Sequence, residues 1–374
     1  MRILFTGGGT GGHIFPIIAV ARQFKKIYTD NSNENKLEMF FLGSGGLSEK
    51  VLGKEGITVK TILAGKLRRY FSFKTLFDLI KIPFGFFKSL FYLYIWMPDV
   101  IFSKGGYDSF PVVLVGWLYN IPILIHESDT VPGLANRLSS KLSKRIGVSF
   151  NSAEKYFPQK KTALIGNPIR SEVVEKCILN NQEEKQRIKG DYKIISQKPV
   201  ILVLGGSQGA EKINHLILLT LPQLLEKYEI IHQCGENNYE YVKARSTQSE
   251  NYHLFSFLDE EQMSNVYSIS DFIISRAGAG SICEIAICGK PSILIPLPKS
   301  GGDHQRQNAM IYSQSGSGVV LEELNLTPNL LLNEISKILN NDELYRQMSN
   351  NAKNFSRPEA AEKIVKELIE LIKV

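Results

Sequence analysis

Cysteine is scarce in this chain of 374 residues: Cys177, Cys234, Cys283 and Cys288 form no C-x-x-C pair and no His/Cys cluster at zinc spacing. Neither a disulfide framework nor a structural metal is expected, and a reducing compartment fits. The N-terminus offers one Arg, then a strand and a glycine loop. It lacks the apolar h-region and small-residue cleavage site of a secretory signal, so the protein is expected to stay inside the cell. No Asp-x-Asp motif is present to hold a divalent ion, and no low-complexity tract or short repeat occurs. Long apolar runs are missing as well. The most aromatic stretch, Lys66 to Met97, has no uncharged run longer than the ten residues Ser89–Pro98, about half of what crosses a bilayer.

What is present is ordinary globular material, 43% hydrophobic and 22% charged, long enough for two domains with their own cores. The net charge of +7 is unevenly shared. Residues 1–165 hold 22 Lys/Arg against 11 Asp/Glu and residues 166–374 hold 22 against 26, which puts +11 on the first half and −4 on the second. Such asymmetry points to an anionic partner for the first half, either nucleic acid or an anionic membrane surface. Lys66–Met97 carries six Lys/Arg, one Asp and eleven aromatics, interrupted by Lys81, Pro83, Gly85 and Lys88. An interfacial segment is expected, with one face buried and the other at lipid. Nucleic acid is the weaker reading, because aliphatic residues dilute the basic ones and no RNA-binding signature occurs.

Two glycine loops organise the chain. Ile3–Phe5 runs into Gly7-Gly8-Gly9-Thr10-Gly11-Gly12-His13, and Val200–Leu204 runs into Gly205-Gly206-Ser207-Gln208-Gly209-Ala210. Each reads as a buried parallel strand turning into a helix whose N-terminus can hold an anion. Apolar runs alternate with helical stretches at Met39–Leu42, Val59–Leu63, Val100–Phe102, Pro122–Ile125 and Ile146–Val148, then at Ile230–His232, His253–Phe257, Phe272–Ile274 and Ser292–Ile295. The alternation predicts an α/β architecture of two Rossmann-like, doubly wound lobes facing each other across a phosphate-bearing ligand. The turn cluster Gly166–Arg170 sets the expected boundary: a first lobe over 1–166, a second over 167–345, and a closing helix over 346–374, where Ala361, Ile364, Val365, Leu368, Ile369 and Ile372 recur at helical spacing.

The loops carry chemistry. Gly7, Gly9 and Gly12 match G-x-G-x-x-G, yet Phe40-Phe41-Leu42 runs into Gly43-Ser44-Gly45-Gly46 without the acid a dinucleotide site places there, which argues against NAD or FAD. His13 is a titratable ring at the loop's end, suited to act as a base. Gly205-x-Ser207-x-Gly209 also fits a nucleophile elbow with Asp271 or Asp259 and His304 as partners, but that reading leaves the first loop and the basic half unexplained. Arg276–Glu284 forms a third strand–glycine–helix junction, in which Glu284 suits the two hydroxyls of a ribose or is simply an acid near a helix start. Gly301–Ala309 is a polar loop, either a sugar site or a solvated surface.

Taken in order, Gly7–His13, Gly105-Gly106-Tyr107, His126-Glu127-Ser128-Asp129 with Pro132–Asn136, Gly166–Arg170, Gly205–Ala210, Arg276–Glu284 and Asp303–Ala309 resemble the MurG family of bacterial glycosyltransferases, from residue 1 to about 310. The resemblance implies a GT-B fold and an inverting transfer of N-acetylglucosamine (GlcNAc) from UDP-GlcNAc. The acceptor it implies is the muramoyl 4-hydroxyl of undecaprenyl-diphospho-N-acetylmuramoyl-pentapeptide (lipid I), giving lipid II for peptidoglycan synthesis. It implies a peripheral protein at the cytoplasmic face of the inner membrane, and leaves open partners among cell-wall synthesis proteins. Carried over by position, Thr10, Gly11 and Gly12 meet the donor sugar and phosphates, and Arg170 and Ser207 the diphosphate. Leu258 lines the uracil site, Ala279, Gly280, Ser281 and Glu284 hold phosphate and ribose, and Gln305 holds GlcNAc hydroxyls. Asp129 departs from members with Asn there, so its charge is expected to assist proton removal.

His13 is the expected base, with Glu127 or Asp129 as alternatives. Helix N-termini and Arg170 are expected to stabilise the leaving diphosphate, with no tightly bound metal or cofactor required. The glycine architecture alone leaves open a relative that glycosylates a diacylglycerol or an aglycone.

Overall fold

The computed structural model describes residues 1–30, 37–62, 73–179, 181–205, 209–298 and 302–373, with the backbone alone at 29–30 and 73–82. The chain divides into two compact units, Met1–Ile169 with Pro358–Val374, and Arg170–Arg357. The first unit runs β1 (Arg2–Thr6), α1 (Gly11–Asp30), β2 (Glu38–Gly43), α2 (Leu47–Val51), β3 (Thr58–Thr61), α3 (Phe73–Trp96), β4 (Val100–Ser103), α4 (Ser109–Leu118), β5 (Ile123–Glu127), α5 (Leu134–Ser139), β6 (Arg145–Val148) and β7 (Thr162–Leu164). The second runs α6 (Ser171–Leu179), α7 (Gln182–Asp191), β8 (Val200–Leu204), α8 (Glu211–Lys227), β9 (Glu229–Gln233), α9 (Tyr239–Arg245), β10 (Tyr252–Phe255), α10 (Glu260–Ile269), β11 (Phe272–Ser275), α11 (Ala279–Cys288), β12 (Ser292–Leu294), α12 (His304–Gln314), β13 (Gly318–Val320), α13 (Pro328–Leu339) and α14 (Asp342–Phe355). The last helix, α15 (Ala360–Lys373), returns to the first unit.

Both sheets are parallel. Their orders are β3-β2-β1-β4-β5-β6-β7 and β10-β9-β8-β11-β12-β13, so each reverses direction once, between β1 and β4 and between β8 and β11. At such a switch point neighbouring connections leave to opposite faces, opening a crevice beyond the carboxyl ends of the strands. The strands are apolar throughout because both faces are covered. Along β1, Ile3 and Phe5 pack with Ile14, Ile17 and Phe24 of α1, while Leu4 points to the other face with Ile101, Val112 and Val115.

The expected strands lie within about two residues of the observed ones. Two edge strands, β7 and β13, are additional, each only three residues long and too short to show a pattern. The closing helix over 346–374 is corrected. This stretch contains the end of α14 and all of α15, separated at Ser356-Arg357-Pro358, because a proline disfavours helical geometry at the residue before it. The apolar stripe of α15, Ile364, Val365 and Leu368, is fully buried against the first unit's core. The cysteine expectation is corrected too: Cys177 of α6 and Cys288 of α11 form a disulfide, with Cα atoms 4.8 Å apart across 111 residues of sequence. The pairing arises from the packing of α6 on α11, which local cysteine spacing does not encode.

Candidate active site

In the first unit the glycine loop after β1 sits at the switch point and is clamped by its neighbours. Gly8 N–H donates to Gly105 O (3.1 Å), and Lys104 N–H donates to Thr6 O (2.9 Å). Gly105 and Gly106 have φ of +87° and +93°, and a Cβ on Gly106 would come within 3.0 Å of the Gly8 nitrogen. The positive φ and this close approach both require glycine. His13 lies in the first turn of α1 and its ring covers Gly8, where an added Cβ would lie 2.6 Å from Nδ1. That nitrogen is buried and makes no hydrogen bond of good geometry among the described residues. Burial, then the charge of Lys104, lowers the His13 pKa to about 4, against Asp129 and the Gly8 backbone, which favour the charged ring. His13 is therefore neutral near pH 7, and the open turn Thr10-Gly11-Gly12 adjoins it.

The carboxyl end of β5 supplies the rest. Glu127 is almost fully buried. Its Oε1 accepts from Asp129 N–H (3.0 Å), and its Oε2 accepts from Asn136 Nδ2 (2.9 Å) and Gly133 N–H (3.3 Å). It thus folds the Ser128–Gly133 turn around itself. Burial, then the neighbouring Asp129 charge, pushes its carboxyl up to about 7, opposed by those hydrogen bonds and by Lys104. His126 donates from Nε2 to Gly166 O (2.8 Å) and accepts at Nδ1 from Lys104 Nζ (2.8 Å). Full burial holds it neutral, with a pKa well below the usual value. Asp129 is half-buried and influences both His13 and Glu127. The structure therefore brings His13, Glu127 and Asp129 to one place, with Glu127 engaged in holding the turn.

Lys104 and Asp108 were not singled out from sequence. Lys104 had a visible signal, a charged residue ending an apolar strand just before Gly105-Gly106. Asp108, which accepts from Ser44 Oγ, had none, because Ser44 is distant in sequence; burial raises its pKa to about 6.

In the second unit, β11 leads through Gly278 into α11, whose first turn, Ala279-Gly280-Ser281, is not capped by a side chain. Glu284 lies past that first turn, which disfavours the simple helix-start reading. It is nearly buried. Its Oε1 accepts from Arg170 Nη1 (2.8 Å), and its Oε2 accepts from the hydroxyl of the buried Tyr267 (3.2 Å). Each carboxylate oxygen keeps a further lone pair for another hydroxyl. Leu258 is buried just before Asp259, and Gln305 accepts at Oε1 from Leu297 N–H (3.0 Å), tying the start of α12 to the loop after β12. Ser207 lies outside the described residues. The elbow reading loses its acids. Asp271 accepts from Val200 N–H (2.8 Å) at the amino ends of β8 and β11, opposite the Gly205 turn, and Asp259 is held in a capping box with Gln262.

Comparison with known proteins identifies the family of both halves of the chain. The glycosyltransferase family 28 N-terminal domain matches residues 3–148, and the C-terminal domain of the same family matches residues 200–364. The chain is 38% identical over 376 residues, covering 99% of both chains, to the UDP-N-acetylglucosamine--N-acetylmuramyl-(pentapeptide) pyrophosphoryl-undecaprenol N-acetylglucosamine transferase 2 of Bacillus thuringiensis subsp. konkukian. It superposes on the crystal structure of Acinetobacter baumannii MurG with a TM-score of 0.74 and 27% identity, covering 99% of each chain. A Neisseria meningitidis UDP-GlcNAc 2-epimerase, 16% identical with a TM-score of 0.70 and covering 99% of this chain and 100% of its own, shares the fold alone. With both halves matched and near-complete coverage by named relatives, the chain belongs to glycosyltransferase family 28 and, within it, to the MurG type.

Proposed function

We propose that this protein transfers N-acetylglucosamine from UDP-GlcNAc to the muramoyl 4-hydroxyl of undecaprenyl-diphospho-N-acetylmuramoyl-pentapeptide, with inversion at the anomeric carbon. The observation that carries the reading is the near-full-length identity to transferases named for this reaction. In a single displacement the attacking hydroxyl must lose a proton as the diphosphate gains charge. His13 is neutral and therefore able to take that proton, and the Asp129 charge favours the imidazolium that results. An anionic substrate at the turn Thr10–Gly12 would strengthen the base by the same logic. Glu127 is assigned to building the turn that carries Asp129.

For the nucleotide, the uncapped N–H groups of Ala279–Ser281 suit a phosphate. Arg170 is assigned to the diphosphate, Glu284 to the ribose, Leu258 to the uracil and Gln305 to the sugar hydroxyls. Ser207 remains assigned to the diphosphate by resemblance.

The membrane reading rests on α3. Leu93 is buried and Phe86, Leu90 and Trp96 pack inward, while Phe84, Phe87, Phe91, Tyr94 and Ile95 stand between 54% and 71% exposed. Trp117 and Leu118 at the end of α4 are exposed too, and Tyr119 beside them bonds to α3 at Leu90 O. Among the described residues no helix is long and apolar enough to cross a membrane. An apolar row of this kind suits shallow insertion at an anionic surface, where the acceptor's lipid resides. Of the six basic residues in Lys66–Met97, Lys66, Arg68 and Arg69 lie outside the described residues, and only the backbone is described at Lys74 and Lys81.

Incubating the purified protein with labelled UDP-GlcNAc and a lipid I analogue tests the activity. A disaccharide-lipid product is expected, and its absence with an otherwise folded enzyme overturns the reading.

A further inference from the structure

Lys104 is 2% exposed, and its ammonium has three protons. They meet His126 Nδ1 (2.8 Å), Asn167 Oδ1 (3.0 Å) and Ser128 Oγ. Those acceptors come from the last residues of β5, the turn that follows it, and the Gly166-Asn167 segment after β7. The lysine's own N–H is bonded to Thr6 at the end of β1. One buried cation therefore joins the carboxyl ends of β1, β4 and β5 around the place where His13, Glu127 and Asp129 converge. A neutral side chain could join these segments without the cost of taking a full charge out of water. The choice of a cation here calls for an electrostatic role.

We propose that Lys104 is a positioning residue of the transfer reaction, its ammonium holding the His126–Asp129 turn against the glycine loop and setting the charge balance around the His13 base. The proposal rests on the transferase reading for its chemistry, not for its geometry. The ionisable groups around it are His13 on α1, His126 and Glu127 at the end of β5, and Asp129 in the turn that follows. Asp129 favours the charged His13 ring and Lys104 opposes it. Burial and Lys104 keep the ring unprotonated before substrate arrives, and Asp129 supports its conjugate acid once an anion is bound.

The test is Lys104→Met, which keeps the long apolar stem and removes the charge, beside Lys104→Arg, which keeps it. Histidine-selective NMR of the whole protein reads the His13 titration without substrate, its signal assigned by loss in His13→Gln. In Lys104→Met the His13 midpoint and the acid limb of kcat/KM are expected to move up together by about one pH unit, while kcat falls. Lys104→Arg is expected to leave the midpoint close to the parent's. If Lys104→Met does not fold, Asn167→Asp serves instead, since a carboxylate on the same ammonium offsets its field while keeping the hydrogen bond. The same upward shift is expected. An unmoved His13 midpoint in the folded variant, whatever happens to the melting temperature, reduces Lys104 to a structural cross-link and overturns the proposal. Absence of GlcNAc transfer in the parent would instead sink the transferase reading and leave the titration result standing.

Discussion

A base need not be strong in the resting enzyme if the reaction itself supplies the field that strengthens it. His13, lowered to about 4 by burial and by Lys104, is unprotonated across the physiological range, so activity in the free enzyme is expected to fall only on strong acidification. His13→Ala is expected to lower kcat by ~10²-fold or more while donor affinity is largely kept. If turnover survives that change and is lost instead in Asp129→Asn, the proton goes to the carboxylate. Glu284→Ala is expected to raise KM for UDP-GlcNAc selectively, by roughly 5- to 150-fold for ~1–3 kcal/mol of unpaired hydroxyl. Because Arg170 and Tyr267 both bond this carboxylate, Glu284→Gln is the gentler companion, and an unchanged donor KM in both variants would leave Glu284 a structural partner of Arg170. At this scale the sequence was legible where a residue sits in an unusual local setting, as His13 does at the end of a glycine run. It was silent on which groups the Lys104 ammonium meets, and on Tyr267 and Asp108, whose roles arise only when strands and helices distant in sequence come together.

Elements whose two faces differ carry their own experiment. In α3 the inward side chains include Phe86, while Phe84, Phe87 and Phe91 are 66%, 67% and 59% exposed. The structure thus separates residues that sequence spacing had left together. Changing Phe84, Phe87 and Phe91 to Ser is expected to spare the fold, with a melting temperature near the parent's, and to weaken cosedimentation with anionic liposomes. Binding by the parent is expected to fall with added salt, since the basic residues contribute roughly 1 kcal/mol each at an anionic surface. Unchanged liposome binding by the triple variant would remove α3 from the interface. The strands were legible because parallel sheets covered on both faces demand continuous apolar runs. The break between α14 and α15 was harder to see, since both helices are amphipathic and only Pro358 marks the division.

Across the whole molecule, stability in acid is governed by histidines that folding buries neutral. His126 in the first unit is wholly buried between Lys104 and Gly166 O, and His232 in the second lies between Asn214 Oδ1 (3.0 Å) and the Tyr252 hydroxyl (2.8 Å). Burial lowers both, His232 to about 3. Unfolded, each takes up a proton near pH 6.5, whereas the folded form resists until far lower pH. Their stabilisation is therefore complete above about pH 6.5 and declines as pH falls below it, for His232 down to about 3, by up to ~1.4 kcal/mol per pH unit for each. Glu127 acts in the opposite sense. Its carboxyl is raised to about 7, so it favours the folded state below about 4.5 and loses that contribution as pH rises toward 7, offsetting one histidine in the first unit. His13, also buried and lowered to about 4, adds a second such histidine to the first unit, and the Asp108 carboxyl, raised by burial to about 6, offsets it below that pH. The second unit has neither offset among its described residues, so its unfolding is expected to be the steeper in acid between about pH 6 and 5. Denaturant titrations at several pH values check this, read by tryptophan fluorescence for the first unit and by far-UV circular dichroism for both, so that the second unit is the difference. Both tryptophans, Trp96 and Trp117, belong to the first unit, so their fluorescence reports that unit alone. In His232→Gln the acid slope of the second unit should flatten by about one proton, and a slope equal to the parent's would place the acid sensitivity elsewhere.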